Sequence, residues 1–520
     1  MIQELSIKDY KAFENAHIPI KPLTIFLGAN SVGKSSIIQL LLLLQQTSKE
    51  DYKSYKSALK LYGGYVNLGD SKNLFRKQDH TKDIEIGFKI NDKSLKEFLK
   101  QELLKDYTET FSRIPKYLPI KAFLELRNKE IKNKSDFEDL IDAYIKIISK
   151  DGSVQDFIKE IRWFLSSNGN IKIDELKQEN KSNLIKVYNA LEKISNSIKS
   201  DEFQFKYLIG YNKNKLINRE FKLLHNDKII ISYNKDLNEF NSDFIRFDQN
   251  ENDELLKTVD SNNTIFNLFA KKTELKITST SVFSYIIRKA LNIAVNEFSD
   301  RHINYVSPLR AHPKRYYMLD KAKINITLDT LDGDAVADVL KENSSLKSKV
   351  NNWLTNFNLS VNVEEFKEVV HHLKVNQNNL NLDITDVGFG ISQVLPVIIQ
   401  GFLSGNDSTT IIEQPEIHLH PKMQADLADL FIDIVLNSKN KKLIIETHSE
   451  YLLKRLRRRI SEGKVRSEDV SICLFNPQTE KTSGSINVLK IEEKGFFEWP
   501  IDFYGGDLYD DTVEFLKNQD

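Results

Sequence analysis

Residues 28–35 read Gly-Ala-Asn-Ser-Val-Gly-Lys-Ser, and the spacing Gly28-x-x-x-x-Gly33-Lys34-Ser35 is that of a Walker A phosphate-binding loop. Its glycines let the backbone N–H groups of Gly28, Ala29, Asn30, Ser31, Val32 and Gly33 turn toward phosphate oxygens. The helix that follows adds its positive N-terminal end. Lys34 is placed to reach the β- and γ-phosphates of ATP. Ser35, with Ser36 beside it, is placed to set a hydroxyl on Mg2+. A chance match rarely comes with an apolar strand before it (Thr24 to Leu27) and a helix after it.

Three further segments carry chemistry. Thr410 to Pro421 reads T-I-I-E-Q-P-E-I-H-L-H-P, an apolar run that delivers a carboxylate at its end. A Walker B element needs this to hold Mg2+ through water, which makes Glu413 the second candidate metal ligand after Ser35. Ile444 to Glu450 reads I-I-E-T-H-S-E; His448, just past a buried strand, is placed to sense the γ-phosphate and orient the attacking water. Asp386 to Gln393 reads D-V-G-F-G-I-S-Q, a glycine loop leading into an apolar helix from Val394 to Phe402. The N–H groups around Gly388, Gly390, Ser392 and Gln393 suit an anion.

These residues need a scaffold, and the patterning supplies one. Residues 2–27 alternate in short runs (Ile2 to Ile7, His17 to Ile20, Leu23 to Leu27) that read as strands ending at the phosphate loop. The leucine run Leu40 to Leu44 is apolar on every face, as a helix buried under a sheet would be. From residue 91 the pattern turns helical: Leu95, Phe98, Leu99, Leu103 and Leu104; Phe137 to Ile148 behind a Ser135-x-x-Glu138 capping box; Phe157 to Leu165; Leu184 to Ile198. Residues 203–210, 215–224 and 228–233 alternate as an antiparallel meander. A helix over about 281–298, a strand over Ile303 to Val306, and then strand–helix–strand–helix from Thr409 to Ile460 give the alternation of a parallel α/β sheet. The expected organisation is an ATPase part over 1–90, a helical insertion over 91–200, an antiparallel β part over 201–280 and a second ATPase part over 281–520.

In this order the four segments resemble the ABC-type ATPases of the SMC/RecF/OLD group, over roughly residues 1–90 and 280–460. The E-Q-P-E-I-H-L-H-P and E-T-H-S segments are similar to the RecF/OLD-related ATPases of bacteria and archaea, many of which sit in anti-phage defence systems. The resemblance implies an α/β, ABC-type P-loop fold with a mixed or parallel core sheet, an antiparallel β-subdomain and an inserted helical subdomain. It implies a homodimer with each ATP between the Walker A loop of one copy and Gly388 to Gln393 of the other. It also implies that the tail with Gly495 to Pro500 belongs to the ATPase. The insertion's stripes are short and interrupted, so a long coiled-coil arm is not expected.

Two departures stand out. Relatives carry a second glutamate after the Mg2+ carboxylate, to activate water; here that position is Gln414, read as native because the block around it is coherent. An amide cannot take the proton, so turnover would be slow, with Glu416 and His448 as partial substitutes; general-base help is typically worth about 10²–10⁴-fold. The acids at Asp507, Asp510 and Asp511 sit in a tail too short for a Toprim nuclease. Gln78 is merely available as a Q-loop glutamine.

Composition sets bounds on the rest. Lys plus Arg (74) equals Asp plus Glu (74) in 520 residues, so no overall field draws nucleic acid or an acidic membrane. The best basic cluster is Lys454 to Arg459, which equally suits a helix C-terminus. One cysteine, Cys473, excludes a disulfide framework, and no apolar run is long enough for a bilayer. A cytoplasmic location is expected. The leading reading is an ATP-hydrolysing dimeric switch acting on a separately encoded nuclease or toxin. The alternatives are an ATP-bound scaffold and a DNA-binding repair-type ATPase.

Overall fold

The computed structural model describes residues 1–51, 55–113, 131–150, 180–269, 278–318, 334–367, 370–378, 380–479, 482–498 and 517. The stripe from Phe157 to Leu165 and the tail positions Trp499, Pro500, Asp507, Asp510 and Asp511 lie outside them. The chain divides into two compact units, one built mainly from Gln3–Gln45 and Glu297–Asp520, the other from Gln46–Asn296.

The first unit opens with β1 (Ile2–Tyr10) and β2 (Phe13–Pro19), an antiparallel pair. Next comes β3 (Leu23–Leu27), which ends at the phosphate loop. The helix after that loop starts at Lys34 and runs to Ser48, and Ile37 through Leu44 is buried at every apolar position. A helix this apolar holds its place by burial rather than by an amphipathic face.

The second unit contains β4 (Ile84–Asn91), β5 (Glu202–Asn212), β6 (Lys215–His225), β7 (Lys228–Asn234) and β8 (Glu239–Asn241), each antiparallel to the next. Between β4 and β5 lie helices Lys93–Glu97, Leu103–Arg113, Lys134–Lys150 and Lys181–Ser197. A π-turn over Phe98–Glu102 joins the first two. The helix from Lys134 is capped two residues earlier than the Ser135 box expects. Asn133 Oδ1 accepts from Asp136 N–H at 3.0 Å, and the Asp136 carboxylate accepts from Asn133 N–H at 3.2 Å. Asn and Asp fill this reciprocal role because each has a short side chain that reaches the free N–H groups of a first turn. Gln78 lies in this unit, its amide donating to Asn73.

The first unit resumes with β9 (Ile303–Val306), β10 (Tyr317–Met318), β11 (Leu359–Lys367), β12 (Val370–Gln377) and β13 (Leu380–Asp383). It closes with β14 (Thr409–Glu413), β15 (Lys442–Glu446), β16 (Val470–Asn476) and β17 (Ser485–Leu489). The core sheet runs β17-β16-β3-β15-β14-β9. β16, β3, β15, β14 and β9 are parallel, and β17 closes one edge antiparallel. β3, β14 and β15 are buried at all five residues, as expected of central parallel strands covered on both faces. β10, β12, β11 and β13 form a second, antiparallel sheet. Val361, Leu373 and Val375 of that sheet share one apolar core with Val394 and Ile398 of helix Phe389–Leu403 and with the β14 and β15 strands. The α/β fold class expected from the alternation is the one found.

Candidate functional site

Parallel strands bring their carboxyl ends to one edge, where α/β folds place ligands. Here β3 ends at Leu27 before the phosphate loop, β14 ends on Glu413 and β15 ends on Glu446, with Glu413 and Glu446 directly opposite each other in register. Backbone hydrogen bonds continue past the strand ends: Gln414 N–H donates to Glu446 O at 2.8 Å, and Thr447 N–H to Phe26 O at 3.2 Å. The three segments are thereby locked together.

The loop conformation needs its glycines. Gly28 has φ +141° and Gly33 φ +102°. A Cβ on Gly28 would lie 2.5 Å from Phe475 O, and one on Gly33 2.6 Å from the Phe13 ring. Ser31 sits at φ +64°. Ala29, Asn30, Ser31 and Ser35 are exposed, Gly28, Gly33 and Ser36 half-buried, and Val32 buried. Lys34 is 3% exposed; its Nζ donates to Gly28 O (3.0 Å) and Ala29 O (2.8 Å) and lies 3.6 Å from Glu446 Oε1. Burial pulls the ammonium below its usual value, and Glu446 opposes that shift.

Glu413 Oε1 accepts from the Tyr305 hydroxyl at 2.6 Å. Burial first, then the neighbouring Glu446 carboxylate, push the Glu413 carboxyl up to about 7. The folded protein therefore binds more protons than the unfolded chain between about 4.5 and 7, and stability falls as pH rises through that window. Glu413→Gln removes the penalty. In Mg2+-free buffer its melting temperature is expected to exceed that of the wild type at pH 8 and to match it near pH 4.5. Equal melting temperatures at both pH values would show that the carboxylate carries no such cost.

Glu416 Oε1 accepts from His448 N–H at 2.7 Å. Burial, then the Lys34 charge, hold the His448 imidazole below its usual value. Ser449 caps the next helix by accepting from Leu452 N–H at 3.2 Å and donates to Gln424 at 2.7 Å, which fixes the E-T-H-S turn. His420 is also a cap, its Nδ1 accepting from Lys422 N–H, with Pro421 at the first helical position.

Two partners were invisible in the sequence. Tyr305 is one. The other is Arg310, 7% exposed, whose Nη2 donates to Glu413 O (2.7 Å) and Gln414 O (3.2 Å). Burial lowers its guanidinium to about 10, opposed by Glu416, Tyr305 and Glu413. Gln414 itself holds φ +45°, a left-handed conformation that is costly away from glycine. Nη2 of the arginine thus clamps this turn.

Helix Phe389–Leu403 begins five residues before the expected Val394, so Gly390, Ser392 and Gln393 belong to its first turn rather than to a loop. Gly388 is the N-cap. A Cβ on Gly390 would lie 2.6 Å from His418 O, so the helix packs backbone-close against the segment after Glu413. The physical reason for the early start is this packing together with Ile391, Val394 and Leu395, which are buried and outweigh the low helix propensity of glycine. Ser392 Oγ donates back to Phe389 O at 2.7 Å, and Gln393 is 3% exposed. Both side chains are thus turned inward, while Gly388 and Phe389 remain exposed. Among the described residues no hydrogen bond joins this turn to residues 28–36.

Lys34, Glu413, Gln414, Glu416, Glu446 and His448 are thus one cluster, and Gly388 to Gln393 stands apart from it. Residues 1–453 match the family described as AAA ATPase domain.

The chain belongs to the AAA ATPase domain family.

This AAA ATPase is also similar to solved SMC heads. One is an SMC head bound to the C-winged helix domain of ScpA (10% identity, TM-score 0.39, covering 95% of this chain and 99% of that one). Another is the SMC head domain from Thermotoga maritima (6%, 0.35, 94% and 99%). A third is the SMC head domain with an extended coiled coil bound to the C-terminal domain of ScpA, derived from Pyrococcus furiosus (11%, 0.34, 95% and 97%). No curated protein matches the sequence.

The family uses nucleotide and usually Mg2+, and the residues present fit that ion. Three carboxylates (Glu413, Glu416, Glu446) face two cations (Lys34, Arg310), and Ser35 opens the helix after the loop. Mg2+ is commonly held by one or two protein groups plus substrate phosphates, and Ser35 and Glu413 would supply them.

The basic cluster Lys454 to Arg459 is largely neutralised within the fold. Arg455 binds Asp426 and Asp429, Arg459 binds Asp429 and Glu462, Arg458 binds Glu462, and Lys454 pairs with Glu450. This leaves little free charge for phosphates of DNA. No helix among the described residues is long and apolar enough to cross a membrane.

Proposed function

We propose that this AAA ATPase is a nucleotide-driven switch. ATP with Mg2+ binds residues 28–36 of one copy. The N-terminal turn of helix Phe389–Leu403 of a second copy, with Gly388, Gly390, Ser392 and Gln393, completes the site. The observation that carries this reading is the buried Lys34 ammonium, held at the mouth of a phosphate loop beside the carboxylates Glu413 and Glu446 at adjoining strand ends. When bound, Mg2+ neutralises charge developing on the phosphates. Lys34 grips the β- and γ-phosphates, Ser35 and Glu413 hold the ion, Glu416 fixes the His448 turn, and His448 faces the terminal phosphate. Hydrolysis reopens the dimer, and the change is passed to a separately encoded effector, a nuclease or toxin of an anti-phage system. The resemblance to RecF/OLD-related ATPases supports that last part. A scaffold that holds ATP without turnover is the second reading, favoured by Gln414.

Gly388 gives a clean test of the dimer. It has no heavy atom within 4 Å of a built Cβ and a helix-compatible φ of −53°, so Gly388→Tyr is accommodated within one copy. In sedimentation velocity, the wild type is expected to double in mass with Mg2+ and a non-hydrolysable ATP analogue, and Gly388→Tyr to stay monomeric. Equal, nucleotide-independent masses would overturn the composite site.

A further inference from the structure

We propose that Glu446, at the end of β15, takes the proton from the attacking water, filling from a neighbouring strand the role that a carboxylate at position 414 would have. This rests on the hydrolytic reading above. In the step, the water oxygen forms a bond to the γ-phosphorus. The bond from that phosphorus to the β–γ bridging oxygen breaks, and its electron pair leaves on ADP. The proton released by the water passes to a carboxylate oxygen of Glu446, and from there to the departing phosphate or to solvent.

Four observations converge on this residue. β15 lies between the phosphate-loop strand β3 and the Glu413 strand β14, and Glu446 is in register with Glu413. Its Oε1 is 3.6 Å from Lys34 Nζ, the group that meets the γ-phosphate, so the carboxylate stands about one water away from that phosphate. The residue is 3% exposed, and its Oε2 is buried with no hydrogen-bond donor among the described residues. A buried acceptor with no donor is costly and rare, and a water bound there would supply one. Glu413 is engaged by Tyr305, and Glu416, whose Oε2 is likewise buried without a donor, lies three residues past the end of β14, where its Oε1 holds the His448 N–H. The charge balance also bears on Gln414. With three carboxylates already facing Lys34 and Arg310, a fourth at the clamped, half-buried turn would add a further negative charge to the cluster. The amide keeps the shape of the turn without that charge.

The test uses the full chain, with steady-state phosphate release and equilibrium titration of a fluorescent ATP analogue in Mg2+. Glu446→Gln is expected to lose roughly 10²–10³-fold of turnover while analogue affinity stays within about threefold of wild type. The exchange variant, Glu446→Gln with Gln414→Glu, is expected to regain at least about tenfold, because it returns a carboxylate to the usual strand end. Turnover of Glu446→Gln within about threefold of wild type overturns the proposal, as does an exchange variant that recovers nothing. Analogue affinity that falls together with turnover also overturns it, since Glu446 would then only be placing Lys34. If Glu446→Gln does not fold, Glu446→Asp decides: the retracted carboxylate is expected to cost at least about tenfold in turnover with binding kept, and unchanged turnover overturns the proposal. A wild type that binds the analogue but releases no phosphate is a different result, because it sinks the hydrolytic reading itself.

Discussion

Lys34→Ala is expected to weaken ATP binding by roughly 10²-fold or more, and phosphate release with it, because charge-assisted hydrogen bonds to phosphate are worth about 1.5–3 kcal/mol each. The ammonium is already at the loop mouth, 2.8 Å from Ala29 O and 3.0 Å from Gly28 O. Little reorganisation separates this position from one on a phosphate. Some stability is lost as well, because Glu446 loses its cation, but the loop keeps its shape, which is set by Gly28 and Gly33 against Phe475 and Phe13. Isothermal titration and circular dichroism on the same preparation separate the two. Unchanged ATP affinity in a folded Lys34→Ala protein would remove the phosphate-loop assignment.

Arg310→Ala carries the second large effect. Its guanidinium is buried and binds the carbonyls of Glu413 and Gln414, the residues that end the metal strand and begin the left-handed turn. Removing one partner of a buried charge cluster typically costs about 3–5 kcal/mol, and here it also frees two buried carbonyls. A lower melting temperature is expected together with lost turnover. Arg310→Lys keeps the charge and should recover part of the stability. It should not recover full turnover, because a compact, strongly hydrated ammonium does not match the planar guanidinium whose Nη2 donates to both carbonyls. Thermal melts and phosphate release on the pair check this. Full activity in Arg310→Lys would show that only the charge matters.

Much of this site could be read from residue order. The phosphate loop declared itself because only glycine takes the backbone angles found at positions 28 and 33, which makes the spacing itself a structural constraint. Glu413 and His448 were legible as polar residues shortly after the short apolar runs Ile411–Ile412 and Leu443–Ile445. Glu446 stood in the same run as His448 but drew no role. Its meaning comes from register with Glu413 across two strands separated by a helix, which a linear reading does not measure. Arg310 and Tyr305 gave no signal at all, because a single arginine in a loop has no periodicity and its partners lie about a hundred residues on. The glycines at 388 and 390 pointed to a loop, and burial of Ile391, Val394 and Leu395 made the segment helical instead. The arginines after residue 454 suited either a nucleic-acid patch or a helix C-terminus in sequence, because their acidic partners Asp426 and Asp429 lie one helix earlier.

The strand-end cluster around Lys34 is expected to hydrolyse ATP although position 414 carries an amide. Steady-state phosphate release by the wild type, with and without Mg2+ and beside Lys34→Ala, tests it most directly. Mg2+-dependent release that disappears in Lys34→Ala is the expected result. ATP that binds the wild type but yields no phosphate above the Lys34→Ala background would contradict the claim and leave a nucleotide-holding scaffold.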